Sequence, residues 1–542
     1  MRDSVAPTIG LYRRRGSRVL SRLLAWNGPL ITLLALALAL AAGLLLIRLT
    51  PLGGVLFVGL ALVGLATVIE PLAGLAAALF LGPLRAYLRA EVPQVPTQIA
   101  HVFVALALAV WLARGLARRD LRIPHPAGGQ GNRKGLPLLL PLLAFLGAAL
   151  LSLWDAVELP VYGVPELIKW VQILLLFLFV SDHLTVRRLP WLLGALLVTG
   201  FFQASMGVWQ FGLRGEGPDH FAILGNRFYR AYGTFEQPNP YAGFLGITLS
   251  LALGVLWGML TDKGTGEQGD KKRGSVFFAP LSPCLPVSIS PGFLVLLPMT
   301  ITMGAALAMS WSRGAWLGFG AAVSVMTVAL PRKTRWGLLL VAVLVVGGLG
   351  LYATGLMPSS VTARLTDFAQ DVRFEDVRGV GINDANYAVI ERLAHWQAAL
   401  EMFRYNLWTG VGFGCYEPAY RDFALINWPI ALGHAHNYYL NLAAETGLVG
   451  LVAYLVLWGA VFWQTWQATR RARGPLRGLA IGLLGTWTHL SVHHLLDNLY
   501  VNNVHLHIGV LLGLLAFIIQ QTNQQTDQLT DYDHRTQNLC PN

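Results

Sequence analysis

Residues 433–450 read GHAHNYYLNLAAETGLVG, and this stretch leads from a polar segment into an apolar helix. A helix that enters hydrocarbon normally begins with capping and interfacial residues, so the imidazole of His436 and the amide of Asn437 in its first turn need a reason. An imidazole is the side chain best suited to accept a proton from a hydroxyl group near neutral pH. The stretch therefore predicts a membrane helix with reactive groups at its start. A histidine that only caps the helix is the simpler alternative.

The composition of the chain agrees with a membrane protein. Of its 542 residues, 55% are hydrophobic and 13% are charged. Several apolar runs have the length of about 20 residues that a bilayer demands of a helix, among them Leu30–Leu49, Leu136–Leu153, Leu192–Phe211 and Leu448–Trp466. We predict an all-α polytopic membrane protein with about 12 to 14 transmembrane helices. The glycines and prolines of residues 52–87 leave one span, two spans or a re-entrant pair open there.

The net charge of +12 does not indicate nucleic-acid binding, because the basic residues lie in short loops between apolar runs and not on one face. The positive-inside rule places these loops and both termini in the cytoplasm. The cytoplasmic loops are then residues 114–134, 187–188, 263–273, 332–335 and 470–477. The external segments are residues 155–166, 214–241, 310–314 and 357–433.

These assignments divide the chain into four parts. Residues 1–26 form a basic cytoplasmic N-terminus, residues 27–200 the N-terminal transmembrane helices, and residues 201–519 a membrane domain that includes the external loop 357–433. The polar tail at 520–542 is predicted to be disordered, and residues 263–291 to be a flexible loop. The three cysteines are scattered and predict neither a disulfide framework nor a zinc site.

The loop 357–433 is the one long external segment, and a loop of this length is more often functional than decorative. The sequence from Ala388 to Phe403 has apolar residues at helical spacing and predicts a helix. The turn Gly410–Gly414 then ends it. This loop lies on the same predicted side as His436.

Three arginines lie on the predicted external side, against the usual bias of basic residues: Arg230, Arg313 and Arg392. A guanidinium binds phosphate oxygens in bidentate fashion and never loses its charge, so these residues favour an anionic ligand such as a diphosphate. Contact with lipid headgroups, or a structural pair with a carboxylate, is the alternative for each. Arg313 stands in a very short turn between two apolar runs, where a charge is costly unless it faces a polar cavity.

Other polar residues give weaker signals. His434 lies two positions before His436, so on a continuous helix the two rings would point to nearly opposite faces and could not share a metal ion. His489, His493 and Asp497 recur every four residues and are predicted to share a helix face, where they hydrogen-bond helices together or, as the alternative, bind a metal or relay protons. Asn239, between two prolines, either caps the next helix or binds substrate.

Four stretches stand in the order seen in the O-antigen ligase and O-antigen polymerase superfamily, which the chain resembles over residues 200–515. They are RAYGTFEQPNP at 230–240, SRGAW at 312–316, RLAHW at 392–396 followed by GVG at 410–412, and His436-Asn437 followed after nine residues by Gly447 and Gly450. The resemblance implies a bundle of membrane helices similar to GT-C glycosyltransferases, with one large external loop.

The resemblance also implies an activity. A glycan would pass from an undecaprenyl diphosphate carrier to a hydroxyl or amide of a lipid, glycan or protein acceptor, in an inverting reaction without metal or cofactor. Such enzymes serve the synthesis of lipopolysaccharide and other cell-envelope polysaccharides, at the external or periplasmic face of the cytoplasmic (inner) membrane. Besides membrane lipids, the carrier-linked glycan and the acceptor are the expected partners. Carried over by motif, the catalytic residues are His436, Arg392 and Arg313, and the substrate-binding residues are Arg230, Asn437, His434 and Asn239.

Three other functions remain open. A repeat-unit polymerase of the same superfamily would use the same carrier chemistry. A bicarbonate or anion transporter would need a continuous polar path with broken helices at mid-membrane, whereas here a histidine and arginines gather at one predicted surface. A metal or proton carrier built on His489, His493 and Asp497 would work without His436.

Overall fold

The computed structural model describes residues 50–92, 95–118, 136–261, 291–366, 376–383 and 386–539. The predicted first span at Leu30–Leu49, the N-terminal basic segment and the loop residues 263–290 lie outside these ranges. The chain divides into two compact units, Met1–Ala66 and Thr67–Asn542. The described part is almost entirely helical, with one short antiparallel pair of strands, β1 (Ala222–Ile223) and β2 (Phe228–Tyr229).

Seventeen α-helices lie in the described ranges. They are α1 (Pro51–Ile69), α2 (Pro71–Leu81), α3 (Arg85–Glu91), α4 (Ile99–Arg118), α5 (Leu139–Ser152), α6 (Val164–His183), α7 (Leu189–Val208), α8 (Pro238–Thr261), α9 (Pro291–Met309), α10 (Arg313–Ala329), α11 (Thr334–Ala353), α12 (Ser359–Thr366), α13 (Tyr387–Tyr405), α14 (Tyr416–Phe423), α15 (Tyr438–Arg471), α16 (Gly474–His493) and α17 (Val504–Leu539).

The long apolar helices confirm the all-α polytopic membrane class. In the described ranges, eight helices are long and apolar enough to cross a membrane, or up to nine if a bent pair forms one span. They include α8, α15 and α17. The total of about 12 to 14 spans stays a prediction, because residues 1–49 are not described.

The ambiguous region 52–87 forms one apolar helix, α1, followed by a bent pair. Helices α2 and α3 meet at 67° across a short break. Pro83 lies in that break, where a residue without an N–H group cannot continue a helix. Of the arrangements left open by the sequence, the structure has a broken or re-entrant pair, preceded by α1, which is one of the shorter apolar helices and not one of the eight candidate spans.

The centre of the bundle contains a close helix pair, α8 against α16. Gly254 of α8 faces Gly478 and Gly482 of α16 so closely that a Cβ atom on Gly254 would overlap the backbone of Gly482. Gly258 approaches the backbone of Pro475 in the same way. Small residues four apart allow two membrane helices to approach to backbone contact, which increases their dispersion attraction in a solvent that gives no hydrophobic drive.

Two predictions about segments outside the bundle have different outcomes. The helix predicted from Ala388 to Phe403 is confirmed as α13, Tyr387–Tyr405. Helix α17 extends to Leu539, into the polar tail, whose disorder stays a prediction. A polar composition disfavours burial but does not prevent helix formation. No glycine or proline lies between Gly513 and Leu539 to end the helix.

The glycine contact generates a stability prediction. We expect Gly254→Ala to lower the free energy of unfolding by about 1–3 kcal/mol, because the added methyl group overpacks against the α16 backbone. Thermal unfolding of the purified protein in detergent measures this. Gly320→Ala in α10 is the matched control, since a Cβ atom there meets open space, and it is expected to be neutral or stabilising by up to about 1 kcal/mol. Equal unfolding temperatures for the two variants would contradict the packing argument.

Candidate active site

The two motif histidines precede α15 and do not lie in its first turn. The helix begins at Tyr438 with Asn437 as its N-cap, and the Oδ1 atom of Asn437 accepts hydrogen bonds from the N–H groups of Tyr439 (3.0 Å) and Leu440 (3.1 Å). His436 has a φ of 52°, in the left-handed region that few residues other than glycine adopt. A non-glycine residue held there costs free energy and is often found at functional sites.

The imidazoles of His434 and His436 therefore meet. The backbone N–H of His436 donates to Nδ1 of His434 at 3.1 Å, and the ring centroids lie 4.6 Å apart. The expectation of opposite faces applied to a continuous helix, and that condition is not met, because the left-handed residue His436 turns the chain. The segment thus presents two imidazoles on one side.

Asp497 belongs to this site and not to a helical stripe. Helix α16 ends at His493, so Asp497 lies beyond the helix, and the predicted face shared with His489 and His493 is wrong for Asp497. Its Oδ1 atom lies 3.6 Å from Nε2 of His434. His489 donates instead to the carbonyl oxygen of Gly243 in α8 at 3.1 Å, which agrees with the predicted hydrogen bonding between helices.

The geometry of His434, His436 and Asp497 invites comparison with a metal site, because one ligand atom from each lies within 4.8 Å of the others. The hydrogen bonding of His434 does not fit one. Its Nδ1 lone pair accepts the N–H of His436, so the neutral ring carries its hydrogen on Nε2, towards Asp497. A metal ion needs a free lone pair on a ligating nitrogen. The arrangement fits a His434–Asp497 pair that fixes the orientation of the ring.

Helix α13 brings a third imidazole to the site. Arg392 and His395 are three residues apart and share a helix face. The ring of His395 lies 5.6 Å from that of His436 and 4.8 Å from that of Tyr420, and its Nδ1 atom lies 3.0 Å from the hydroxyl of Tyr416. Sequence reasoning selected only Arg392 on this helix. The spacing of three residues between Arg392 and His395 could have identified His395, because it places both residues on one helix face.

Arg230 is anchored by the turn that precedes α10. Its Nε atom donates to the carbonyl oxygen of Ser310 at 3.0 Å, and its Nη2 atom donates to Oδ1 of Asn239 at 3.2 Å. The hydroxyl of Ser312 donates to the same oxygen at 2.9 Å. Asn239 lies in the first turn of α8 and not at its cap. It joins the segment before α8 to the turn before α10 and leaves its amide N–H groups for a ligand.

Three further guanidinium groups act on Arg230. Burial, and then the charges of Arg364, Arg392 and Arg313, lower the pKa of Arg230 to about 9, so it still carries its charge at neutral pH. Arg313 is the first residue of α10, and Arg364, in α12, donates to the carbonyl oxygen of Trp311 at 3.0 Å. Four cations thus converge. Sequence reasoning missed Arg364, because nothing in its short polar helix distinguishes it.

Arg392 connects the cations to the imidazoles. Burial, followed by the charges of His434, Arg392 and His395, lowers the pKa of His436 to about 2. His436 is therefore neutral at physiological pH and has a lone pair to offer. Because Arg392 acts on both His436 and Arg230, the two clusters adjoin. The structure brings together all the predicted site residues, whose individual roles remain predictions: His436, Arg392, Arg313, Arg230, Asn437, His434 and Asn239.

A break in α15 holds the loop after α13 against this site. At Gly447 the backbone leaves helical geometry, with φ 61° and ψ −163°. The loop after α13 pairs with the broken helix: the N–H of Val411 donates to the carbonyl oxygen of Ala444 at 2.9 Å, and the N–H of Leu448 donates to that of Leu407 at 2.8 Å. A Cβ atom on Gly447 would overlap the backbone of this loop. Gly447 is therefore the position at which the loop after α13 packs directly on the backbone of α15.

This break generates a prediction for Gly447→Ala. We expect it to destabilise the docked loop by about 1–3 kcal/mol, because only glycine tolerates these dihedral angles. Hydrogen exchange at residues 411–412 should accelerate, together with a lower unfolding temperature in detergent. Gly459→Ala, on the same helix, is the control because its Cβ atom meets open space. Exchange as slow in Gly447→Ala as in the control would refute the docking role.

The comparison with known families agrees with this geometry. The family model described as O-antigen ligase matches residues 298–455. The matched segment contains Arg313, Arg364, Arg392, His395 and His436. No curated protein matches the chain significantly. The match supports the O-antigen ligase and polymerase superfamily predicted from the motifs, and with it a membrane glycosyltransferase of the ligase or polymerase type.

Proposed function

We propose that the protein transfers a glycan from an undecaprenyl diphosphate carrier to an acceptor hydroxyl or amide, as an O-antigen ligase does. The convergence of four guanidinium groups beside a neutral imidazole carries this proposal. The O-antigen ligase match over residues 298–455 supports the same reaction class. The reaction would invert the anomeric carbon in a single displacement and use no metal ion.

The guanidinium cluster suits a diphosphate. Arg230 is half-buried beside the charges of Arg313, Arg364 and Arg392, and its pKa is lowered first by burial and then by the repulsion of these charges. A diphosphate would replace this repulsion by charge-assisted hydrogen bonds, several of them bidentate. As the bond to the anomeric carbon breaks, negative charge grows on the leaving diphosphate. Fixed guanidinium groups stabilise that charge more in the transition state than in the ground state.

His436 would receive the proton of the acceptor. The acceptor oxygen bonds to the anomeric carbon, the bond from that carbon to the diphosphate oxygen breaks, and the hydroxyl proton moves to the imidazole. Arg392 lowers the pKa of His436 in the free protein. A bound diphosphate would neutralise that charge and so raise the pKa of His436. The base would then strengthen when the donor is in place.

We further propose that this site faces the external or periplasmic side of the cytoplasmic membrane. The loops rich in lysine and arginine then lie in the cytoplasm, as the positive-inside rule requires. Asn437 and His434 would support His436, the first as the cap of α15 and the second through its contact with Asp497. Asn239 would hold Arg230 and offer its amide N–H groups to the donor.

The decisive measurement is transfer of a labelled glycan from undecaprenyl diphosphate by the purified full-length protein, with a chelator present. Lipid, glycan and protein acceptors from membrane extracts are offered together. We expect His436→Ala to lower the rate by about 10²–10⁴-fold, as for loss of a general base. Arg392→Ala should lower it by about 10²–10³-fold, as for loss of one group that stabilises a growing negative charge.

Two control variants match these substitutions. His220→Ala removes an exposed histidine elsewhere, and Arg404→Ala removes an arginine of α13 that pairs with exposed Glu401 at 2.7 Å. Both should transfer like the wild type. Label on a lengthened carrier-linked glycan would favour the polymerase alternative, and label on lipid or protein the ligase. If His436→Ala and Arg392→Ala equal the wild type, the residue roles are wrong. If no acceptor is labelled, bicarbonate flux into liposomes tests the transporter alternative.

A further inference from the structure

His395 is a buried histidine that the proposed function does not use. Its side chain is completely enclosed, between the hydroxyl of Tyr416 and the ring of His436. Among the described residues, the Nε2 atoms of His395 and His436 are both buried and lack a hydrogen-bond partner. A buried polar atom without a partner is costly, so two of them on neighbouring rings call for an explanation.

Tyr416 determines which nitrogen of His395 carries hydrogen. The hydroxyl of Tyr416 donates to the backbone carbonyl oxygen of His395 at 3.2 Å, and this uses its single hydrogen. We assign the hydrogen of the neutral His395 ring to Nδ1, 3.0 Å from the same hydroxyl, because only this tautomer satisfies both contacts at once. Burial and the charge of His434 lower the pKa of His395 to about 4. The ring is therefore neutral at pH 7 and has its lone pair on Nε2.

His436 has the complementary arrangement. Its Nε2 atom is buried while the residue as a whole is partly exposed, so Nδ1 is the nitrogen left to meet an acceptor hydroxyl. A general base needs a lone pair on the nitrogen that takes the proton, which places the hydrogen of the neutral ring on Nε2. His436 thus has an unused Nε2–H donor beside the unused Nε2 acceptor of His395.

We propose that His395 is a positioning residue that accepts the Nε2–H of His436 and, held by Tyr416, keeps the base in the tautomer that transfer requires. This rests on the proposed function of His436. The two rings stand edge to face, 5.6 Å apart at 67°. Catalytic hydrogen bonds are often long before substrate binds and tighten in the complex. A base oriented by a third group is the arrangement that other nucleophilic sites share.

The proton balance of the step is simple. The hydroxyl proton of the acceptor moves to Nδ1 of His436 as the new glycosidic bond forms and the bond to the diphosphate breaks. The Nε2–H stays on His436, hydrogen-bonded to His395, and the Nδ1 proton later leaves to water. Arg392 opposes a positive charge on His436. His395 offsets this, because a hydrogen bond donated by an imidazolium is about twice as strong as a neutral one.

Two substitutions at His395 separate its two nitrogens. His395→Asn places an amide near the position of Nδ1, so the contact with Tyr416 is kept, but nothing replaces Nε2. His395→Gln places an amide oxygen near the position of Nε2 and so keeps an acceptor for His436. We expect His395→Asn to lower kcat about 10- to 100-fold, with KM for donor and acceptor unchanged because His395 does not touch them. His395→Gln should recover most of the loss.

The measurement that distinguishes positioning from structure is the double variant. In a His436→Ala background, His395→Asn should reduce the residual transfer no further, because His395 acts only through His436. Equal losses in both backgrounds, or a His395→Asn variant as active as the wild type, would overturn the proposal while leaving the proposed function intact. Wild-type transfer by His436→Ala would defeat both.

Tyr416→Phe provides a second test should His395→Asn fail to fold. It removes only the hydroxyl that fixes the tautomer of His395. We expect a smaller loss of kcat than in His395→Asn, and no further loss in the His436→Ala background. The unfolding temperature in detergent is measured for every variant. A Tyr416→Phe variant with wild-type kcat would contradict the role of the tautomer.

Discussion

The break in α15 at Gly447 is the constraint on which the candidate site depends. A helix interrupted in an apolar environment leaves backbone N–H and carbonyl groups that must find partners inside the protein. Here the loop after α13 supplies them, through the N–H of Val411 on one side of the break and the carbonyl oxygen of Leu407 on the other. Docking of this loop is therefore required by the helix itself. It brings α13 and α14, with Arg392 and His395, over the start of α15.

The same docking is reinforced by a carboxylate. The Oε1 atom of Glu445, two residues before the break, accepts the N–H of Tyr416 at the start of α14, at 3.2 Å. A side-chain oxygen at a helix N-terminus satisfies a donor that has no partner within the helix. Tyr416 in turn contacts His395. This contact is structural, and it positions the elements next to His436.

The parts of this site that sequence predicted are those set by local rules. Periodicity identified α13, and the short turn before α10 placed Arg313 at a helix start. Local rules failed where backbone or long-range contacts decide. The left-handed φ of His436 brought it to His434, and the end of α16 at His493 released Asp497 towards them. Neither the left-handed conformation of His436 nor the end of α16 produces a periodic pattern in the sequence, because both depend on tertiary contacts.

The candidate site is also larger than the segment that the O-antigen ligase family model matches. Arg230 and Asn239 precede residues 298–455, and Asp497 follows them. Within the matched segment alone, the cation cluster would lose Arg230, and His434 would lose the carboxylate that faces its Nε2 atom. Part of the positive charge, and the carboxylate beside His434, thus come from segments outside the match. The matched segment contains His436 and Arg392, and residues on both sides of it in the sequence complete the cluster.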